Sequence, residues 1–331
     1  MKKIKIAVLG CGWFGNFHLD HLLCNDKVEV AALVNDVDEV LQRTAKKAPH
    51  AHLYHTHMEL LAGEPDLDAA VVTIPPAFHG TLEQDLAKRG VHLYVEKPVG
   101  VDMALVKQNA QVIRDSGIIC CAGYQERYCN AIKEVKAIVD QNKVGLVQGR
   151  WMGNAPGAAW WRKRELSGGQ VTEQVTHLMD LLRYLFGEAQ SVYAMANDGV
   201  YPPLENGNAE ESSVSIIRFA SGTVANIATG RYNDKTKVPS DIGFSIYLPD
   251  MRIIYKWNSG MTFLTQTETR FIPFEENHHE RSLFTFIDAV QANDKTLLRS
   301  PYDDAVKTLR MTMALYRSMD TGVVVPVEEM P

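Results

Sequence analysis

Residues 5–15 read Lys-Ile-Ala-Val-Leu-Gly-Cys-Gly-Trp-Phe-Gly, a short apolar run followed by three glycines in a G-x-G-x-x-G pattern. Leu19, Leu22 and Leu23 follow at the spacing of one helix face. In such a strand-turn-helix unit the first glycine permits the turn, the second lets backbone N–H groups approach a pyrophosphate, and the third lets the helix pack on the strand. The stretch therefore predicts a dinucleotide site that contains Gly10, Gly12, Trp13, Phe14 and Gly15. A glycine turn in an unliganded sheet is the alternative.

The first third of the chain alternates short apolar runs with segments long enough for a helix. The runs cover residues 5–9, 28–34, 69–74, 92–95 and 118–121. Apolar runs of this length, separated by crossover-length segments, indicate buried parallel strands in βαβ units. The sequence thus predicts an N-terminal Rossmann dinucleotide-binding domain over residues 1–122.

After about residue 190 the pattern changes to alternating polar and apolar residues, interrupted by turn signals at Pro249-Asp250 and at residues 258–260. This texture is typical of antiparallel strands joined by tight turns. Two helical patterns follow, at about 280–292 and 302–318. We predict a second, α+β domain over residues 123–331 with an open antiparallel sheet, whose C-terminal helices at about 302–318 pack back on the first domain. The fold class is α/β plus α+β.

Composition excludes several classes of partner. The chain has 331 residues, enough for two domains at roughly 150 residues each. Its 34 basic and 40 acidic residues give a net charge of −6, which offers no footprint for nucleic acid or an anionic membrane surface. No apolar run approaches the roughly 18–20 residues of a membrane span. The five cysteines are odd in number and lack metal-ligand spacing, so we expect a cytoplasmic protein with reduced thiols.

The second apolar run ends at Asn35 and Asp36, about 20 residues past the last glycine, where a dinucleotide ribose is expected. A carboxylate there accepts from the 2′-OH and repels a 2′-phosphate, whereas an NADP site favours arginine or lysine. Arg43, on the next predicted helix, is the one basic residue we consider able to reach back. The pattern favours NAD over NADP.

The run through Val95 ends in Glu96, Lys97 and Pro98. Ligands of open α/β sheets lie at the carboxyl ends of strands, and the proline biases Lys97 toward extended geometry. A cationic donor beside a nicotinamide would orient a substrate hydroxyl and stabilise the developing alkoxide. A solvated ion pair of Lys97 with Glu96 or another carboxylate is an equal alternative.

The segment 168–185 predicts a single amphipathic helix. Its apolar stripe comprises Val171, Val175, Leu178, Leu182 and Leu185, and a polar stripe on roughly the opposite face comprises Glu173, His177, Asp180 and Tyr184. At i and i+4 the Glu173 carboxylate would favour the imidazolium formed when His177 accepts a proton. A solvent-exposed polar face would show the same spacing.

Trp151, Trp160 and Trp161 precede this segment, in a stretch with basic residues at 162–164. Aromatic faces with a few polar groups suit a sugar ring, so we predict that Trp161 and Arg162 contact a substrate, although at least one of the tryptophans is expected in the core.

Four histidines stand close together in sequence, at positions 50, 52, 55 and 57. On a strand the first two face one way and the last two the other, so the four side chains do not converge. We predict no metal site.

Taken together, the motifs resemble the Gfo/Idh/MocA oxidoreductase family over essentially the whole chain. The resemblance rests on the glycine loop with His18, on Thr73-Ile74-Pro75-Pro76 with His79, on Glu96-Lys97-Pro98, on Gly123-Tyr124 with Arg127-Tyr128, on residues 168–180, and on the tail at 300–322. Two departures stand out. Residues 173–177 read Glu-Gln-Val-Thr-His where Asp-x-Gly-x-His is commoner, and Asn130 replaces a frequent proline.

The resemblance implies roles for particular residues. Lys97 matches the catalytic lysine and His177 the proton-transferring histidine, with Glu173 and Asp180 as their acidic companions. It also implies cofactor contacts from Thr73, Pro75, His79, Glu96 and Lys97, and substrate contacts from Lys97, Arg127, Asp180 and His177.

The resemblance further implies reversible hydride transfer between NAD(P) and a secondary alcohol of a sugar, sugar derivative or cyclitol, in a homodimer or homotetramer assembled through the C-terminal sheet. Two alternatives stay open. One is an NAD-dependent glycosidase or lyase that uses transient oxidation on the same fold, and the other is a non-catalytic sensor of dinucleotide or sugar.

Overall fold

The computed structural model describes residues 2–154, 157–197, 199, 207–231, 238–274 and 277–330. These residues form two compact units. The first consists of Met1–Gln125 and His279–Val306, and the second of Glu126–His278 and Lys307–Pro331. Each unit has a sheet of its own.

The strands are β1 Ile4–Leu9, β2 Val28–Val34, β3 His52–Tyr54, β4 Ala69–Val72, β5 His92–Val95, β6 Cys120–Ala122, β7 Leu146–Gly153, β8 Ala189–Asn197, β9 Ser212–Phe219, β10 Val224–Arg231, β11 Asp241–Tyr247, β12 Arg252–Lys256, β13 Gly260–Leu264, β14 Thr269–Pro273 and β15 Val325–Pro326. The α-helices are α1 Trp13–Leu23, α2 Asp38–Ala45, α3 His57–Gly63, α4 Leu82–Lys88, α5 Met103–Ser116, α6 Ile132–Gln141, α7 Arg164–Ser167, α8 Gln170–Glu173, α9 Thr176–Phe186, α10 His278–Ala292 and α11 Tyr302–Thr321. Short 3-10 helices occupy Pro76–Phe78, Gln125–Tyr128, Ala159–Arg162, Lys295–Leu297 and Val327–Glu329.

The first unit contains a six-stranded parallel sheet in the order β3-β2-β1-β4-β5-β6. The central strands are buried along almost their whole length, since helices follow them on both faces, and this is why they read as continuous apolar runs. The strand order reverses between β1 and β4, which is where an open α/β sheet binds its ligand. The predicted Rossmann fold is confirmed.

A late segment completes the core of the first unit. Leu283, Phe286, Ile287 and Ala289 of α10 are buried in the same apolar cluster as Tyr94 of β5. The segment that rejoins the first unit is 279–306, and the boundary between the units falls inside α11. It belongs there because the apolar face of α10 is part of the first core. The expected packing of residues 302–318 on the first domain stays a prediction.

The second unit contains a nine-stranded sheet in the order β14-β13-β12-β11-β7-β10-β9-β8-β15. We predicted an antiparallel sheet, and the observed sheet is mixed because β7 and β10 pair in parallel at its centre. The other pairs are antiparallel. Helix α9 packs its apolar residues into the cluster that also holds Val147, Ile227 and Phe244 from the central strands.

Strand β9 orients its side chains in an unusual way. Ser213 and Ser215 face inward and are buried, whereas Val214 and Ile216 are 51% and 46% exposed. The alternation predicted a strand correctly, but Val214 and Ile216 lie on the open face, while Ile217 and Phe219 are buried. This leaves an apolar strip on the outside of the second sheet.

The structure predicts that α10 is an integral part of the first unit. Phe286→Ala should lower the free energy of unfolding by about 3–5 kcal/mol, because it opens a cavity in a closed apolar cluster. Urea denaturation followed by circular dichroism measures this change. Asp288→Ala on the exposed side of the same helix removes only a surface ion pair with Lys27, and should cost less than about 1 kcal/mol. Equal losses in the two variants would contradict the assignment.

Candidate active site

The glycine loop follows β1 and lies beside the end of β4. Gly10 has φ +94°, a conformation that favours glycine, and a Cβ there would stand 2.8 Å from Oγ1 of Thr73. The Thr73 hydroxyl donates to the carbonyl oxygen of Gly10 at 2.6 Å. The predicted cofactor residue Thr73 thus holds the turn in shape from the neighbouring strand.

The other two glycines have opposite surroundings. A Cβ on Gly15 would collide with the carbonyl group of Gly10, because α1 packs directly on the turn. A Cβ on Gly12 would meet nothing within 4 Å. The third glycine therefore serves packing, while the second leaves the start of α1 open to an approaching group. These are the properties that a pyrophosphate site requires.

The carboxyl end of β2 carries Asn35 and Asp36 in different settings. Oδ1 of Asn35 accepts the backbone N–H of Cys11 at 2.9 Å, so this side chain braces the glycine loop. Asp36 is exposed, with its carboxylate at the position where a ribose is expected. Arg43, on α2, is exposed as well. The exposed carboxylate fits a ribose 2′-OH.

Trp13 and Phe14 form the first turn of α1. Trp13 is 79% exposed, and its ring meets that of Phe14 edge to face with centroids 5.2 Å apart. Both therefore lie beside the open start of α1, where their predicted contact with a cofactor stays a prediction.

The segment after β4 is held by His79. Its Nδ1 lies 2.6 Å from a carboxylate oxygen of Glu83, and its Nε2 lies 2.9 Å from the carbonyl oxygen of Ile74. Burial alone would lower the pKa of His79, but the Glu83 carboxylate raises it above the ordinary value. Pro75 begins the 3-10 turn that His79 closes. His79 thus braces this loop from within the chain.

Glu96 ends β5 and is buried. Its carboxylate lies 2.7 Å from Nε2 of His18, which belongs to α1 and is fully enclosed. A Cβ on Gly123 would fall on the same carboxylate, so only glycine fits opposite it. His18, Glu96 and Gly123, which stand in three separate sequence motifs, thus meet around one carboxylate.

Lys97 follows directly and is partly buried. Its backbone N–H donates to Glu96 at 3.1 Å, and the Lys97–Pro98 peptide is cis. The sequence left open an ion pair of Lys97 with Glu96. The structure gives the Glu96 carboxylate a further neighbour, His18, and the role of Lys97 stays a prediction.

The predicted single helix over 168–185 is wrong. The structure has two helices, α8 and α9, and the i,i+4 relation of Glu173 and His177 on one helix does not exist. The N–H of Val175 bonds to the carbonyl of Gln170, five residues earlier, which widens the turn before α9 begins. The expectation of an exposed polar face fails as well, because Glu173, His177 and Asp180 are all at most 7% exposed.

His177 lies beside two indole rings that also contact each other, with centroids 4.9 Å apart. Trp151 of β7 stacks on the imidazole with ring planes 9° apart and centroids 6.0 Å apart. Trp257, which follows β12, meets it edge to face at 5.2 Å. Sequence reasoning named Trp151 without this role and missed Trp257, whose only signal was an aromatic residue next to a predicted turn.

Asp180 accepts two hydrogen bonds from the guanidinium of Arg127, at 2.6 and 2.5 Å, and a third from Thr308 at 2.8 Å. Both members of the ion pair are buried. A buried bidentate pair fixes geometry strongly because its donors and acceptors match in shape. The pair therefore sets the position of α9. Substrate contacts of Arg127 and Asp180 stay predictions.

Trp161 and Arg162 lie in the 3-10 helix Ala159–Arg162. The rings of Trp160 and Trp161 meet edge to face at 5.6 Å, and the carbonyl of Arg162 accepts the N–H groups of Asn208 and Ala209. Both side chains are half-buried. Their predicted substrate contacts are not decided by these interactions.

Glu210 and Tyr316 support the start of α8, and sequence reasoning found neither. Both accept the N–H of Val171, at 3.1 and 3.0 Å, and the Tyr316 hydroxyl donates to Glu210 at 2.5 Å. Burial raises the pKa of Glu210 above its ordinary value, and burial followed by the Glu210 charge raises that of Tyr316. Their sequence positions lie far from α8, so no local pattern connects them with it.

The histidines near β3 have separate partners. His52 contacts Glu64, His55 contacts the carbonyl of Asn35, and His57 lies 3.1 Å from Asp85. These groups face different neighbours rather than a common centre.

Two family profiles match the chain. The profile of an oxidoreductase family with an NAD-binding Rossmann fold covers residues 4–124, and that of the GFO/IDH/MocA C-terminal domain covers residues 132–253. The chain belongs to the Gfo/Idh/MocA family of NAD(P)-dependent oxidoreductases, as the sequence motifs predicted. Among the described residues, no helix combines the length and the apolar character needed to cross a membrane.

Several relatives illustrate the family. The chain is 25% identical to scyllo-inositol 2-dehydrogenase (NAD(+)) of Bacillus subtilis, over 98% of its own length and 97% of that protein. It is 23% identical to 2,7-anhydro-N-acetylneuraminate hydratase of Mediterraneibacter gnavus, over 60% of its length and 54% of that protein. The WlbA dehydrogenase of Bordetella pertussis, solved with NADH and UDP-GlcNAcA, shares the fold with a TM-score of 0.82, 21% identity and coverage of 98% and 99%.

The second and third glycines of the loop should separate binding from folding. Gly12→Ala has room in the protein and should leave the melting temperature unchanged, but it places a methyl group where the pyrophosphate approaches. We expect NAD affinity to fall about tenfold or more, equivalent to roughly 1.4 kcal/mol, in fluorescence titration. Gly15→Ala collides with Gly10 and should lower the melting temperature itself. Full NAD affinity in Gly12→Ala would argue against a cofactor at this helix start.

Proposed function

We propose that the protein is an NAD-dependent dehydrogenase acting on a secondary alcohol of a sugar, sugar derivative or cyclitol, and reducing the matching ketone in reverse. The observation that carries the proposal is His177, a buried imidazole packed against Trp151 and Trp257 in a chain of an NAD-binding oxidoreductase family. Indole faces suit the apolar C–H faces of a sugar ring, and the imidazole adds a proton acceptor.

In this proposal His177 accepts the proton of the substrate hydroxyl. The Lys97 ammonium group donates a hydrogen bond to that oxygen and stabilises its developing negative charge. NAD, when bound, accepts the hydride. Glu173 is assigned to favour the protonated imidazole, and the Asp180–Arg127 pair keeps α9, which bears His177, in place.

The proposed cofactor residues form two groups: those assigned to contact the cofactor, and those that hold the loops around it in shape. Gly12, Trp13, Phe14 and Asp36 lie open at the end of the first sheet and are assigned to contact the cofactor. The supports shape the loops around it, and they are Gly10, Gly15, Asn35, Thr73, Pro75, His79 and Glu96. The exposed carboxylate of Asp36 supports NAD over NADP, since it would repel a 2′-phosphate.

A test of this function uses NADH absorbance with NAD or NADP against a panel of polyols, aldoses and inositols. His177→Ala should still bind NAD and should lower turnover by about 10²- to 10⁴-fold, the range that a positioned general base supplies. His52→Ala is the matched control, because its side chain is 70% exposed and forms a surface contact with Glu64 of the first unit. Normal turnover in His177→Ala, or activity with NADP alone, would refute the corresponding assignment.

The hydratase among the relatives favours a second candidate. An NAD-dependent lyase or glycosidase would oxidise its substrate transiently, eliminate or add at the neighbouring carbon, and reduce the product again, so that no net NADH forms. The same residues would serve the oxidation steps. Consumption of an anhydro sugar or a glycoside by the NAD-loaded protein, without NADH absorbance, would select this candidate.

The cysteines support a reducing, cytoplasmic setting for this function. None of the five, all of which lie in the described part of the chain, forms a disulfide, and four are buried. Burial raises the pKa of Cys11 to about 11, so the thiol inside the glycine loop stays protonated. Such a loop is suited to a compartment where thiols are kept reduced.

The outer apolar strip supports a homo-oligomer formed through the second sheet. Val214 pairs across the strands with Met195, which is 64% exposed, and Ile216 pairs with Tyr193. Exposed apolar groups that adjoin on a sheet face mark an interaction surface, and we assign it to a second copy of the chain.

Light scattering after size-exclusion chromatography tests the oligomer. We expect a mass of two or four times 37.0 kDa for the wild type and a smaller assembly for Val214→Asp with Ile216→Asp, because the charges would be buried without partners. Met58→Asp, on an exposed apolar residue of α3, is the control and should leave the mass unchanged. A wild type that elutes as a 37.0 kDa monomer would exclude the interface.

A further inference from the structure

Three side chains of different chemistry meet inside the second unit, away from His177 in the sequence. Glu126 and Cys129 belong to the segment around the 3-10 helix Gln125–Tyr128, and His278 begins α10. The three residues are 1%, 3% and 7% exposed. A carboxylate, a thiol and an imidazole are thus enclosed together.

The donor atoms are close enough to share one ion. One carboxylate oxygen of Glu126 lies 3.0 Å from Nε2 of His278, and the other lies 3.6 Å from Sγ of Cys129. All three donor atoms lie within 4.8 Å of one another. Zinc bonds of about 2.0–2.3 Å place tetrahedral ligands roughly 3.3–3.7 Å apart. The two separations from Glu126 lie near that range, and the Cys129 and His278 donors lie within 4.8 Å of each other.

A second layer orients this cluster. The hydroxyl of Tyr255 donates to the Glu126 carboxylate, and the ring of Phe274 packs near both Tyr255 and His278, with centroids 5.7 and 6.0 Å away. Partners that hold a ligating carboxylate from behind are a regular part of metal sites, and an apolar wall limits access by water.

From this geometry we propose that Glu126, Cys129 and His278 bind a divalent cation of intermediate softness, with Zn²⁺ as the best match. Sulfur, nitrogen and oxygen donors together suit zinc, and three protein ligands leave a fourth position for water. The charges also balance, because one carboxylate and one thiolate neutralise a divalent ion, so the enclosed site carries no net charge. The competing interpretation is an ion pair between Glu126 and protonated His278 that needs no metal.

The test is metal binding by the full-length chain after stripping with a chelator. We expect one equivalent of Zn²⁺ per 37.0 kDa chain in calorimetry and in elemental analysis after desalting. Co²⁺ in place of zinc should give a thiolate charge-transfer band in the near ultraviolet. Cys129→Ser should abolish that band, whereas Cys24→Ser, at the exposed cysteine, should keep it. Tyr255→Phe should weaken zinc affinity about 10- to 100-fold, as loss of a supporting contact does elsewhere.

The wild-type measurement alone can overturn the proposal. A folded wild-type chain that retains no stoichiometric zinc would leave the cluster as an ion pair. Zinc binding that persists unchanged in Cys129→Ser and in His278→Gln would place the metal elsewhere on the protein. Circular dichroism and NAD titration of each variant show that loss of metal is not loss of fold. None of these outcomes depends on whether the chain is a dehydrogenase.

Discussion

The buried contact between His18 and Glu96 joins the parts of the first unit on which its chemistry depends. His18 lies on the helix that starts at the glycine loop, and Glu96 ends the strand that leads into Lys97. The same carboxylate accepts the N–H of Lys97 and leaves room only for glycine at position 123. Because a buried carboxylate is costly without a partner, loss of any of these groups disturbs the others. The glycine loop and the backbone around Lys97 are therefore built as one assembly.

Much of the first unit is readable from sequence because its constraints are local. Parallel strands covered on both faces are apolar throughout, and the first and third glycines of the loop stand where a side chain would clash with neighbouring atoms. The second unit is harder to read. Strand β7, Leu146–Gly153, alternates buried and exposed residues but carries glycine, glutamine and arginine, so its pattern was not recognised. On β9, Ser213 and Ser215 face inward while Val214 and Ile216 face outward, which is the reverse of the usual burial of apolar residues in an alternating strand.

In the candidate site, too, some residues stand in short motifs that the sequence reveals, and others are brought together only by tertiary contacts. Lys97 and the glycine loop stand in short motifs, and His177 stands at a recognisable spacing. The aromatic neighbours of His177 are Trp151 on β7 and Trp257 after β12. The start of α8, the helix before the break, is held by Glu210 and Tyr316, which accept the N–H of Val171. Likewise Glu126 and Cys129 meet His278 only after a long stretch of chain has folded. Contacts between residues so far apart in sequence leave no periodic pattern. A helix predicted from periodicity alone therefore runs on past residues 174–175, where tertiary contacts end the real helix.

The first unit is built from two segments that lie far apart in sequence, and this has a consequence for folding during synthesis. Its sheet is complete by residue 122, yet part of its apolar core is supplied by α10. On the ribosome, the dinucleotide-binding sheet emerges first and must wait, with a hydrophobic face uncovered, until the whole intervening unit has been translated. Folding of the two units is thereby interleaved rather than sequential, and a nascent chain arrested before residue 279 would expose the surface that α10 later covers. Chaperones that recognise apolar surface would find it during that interval.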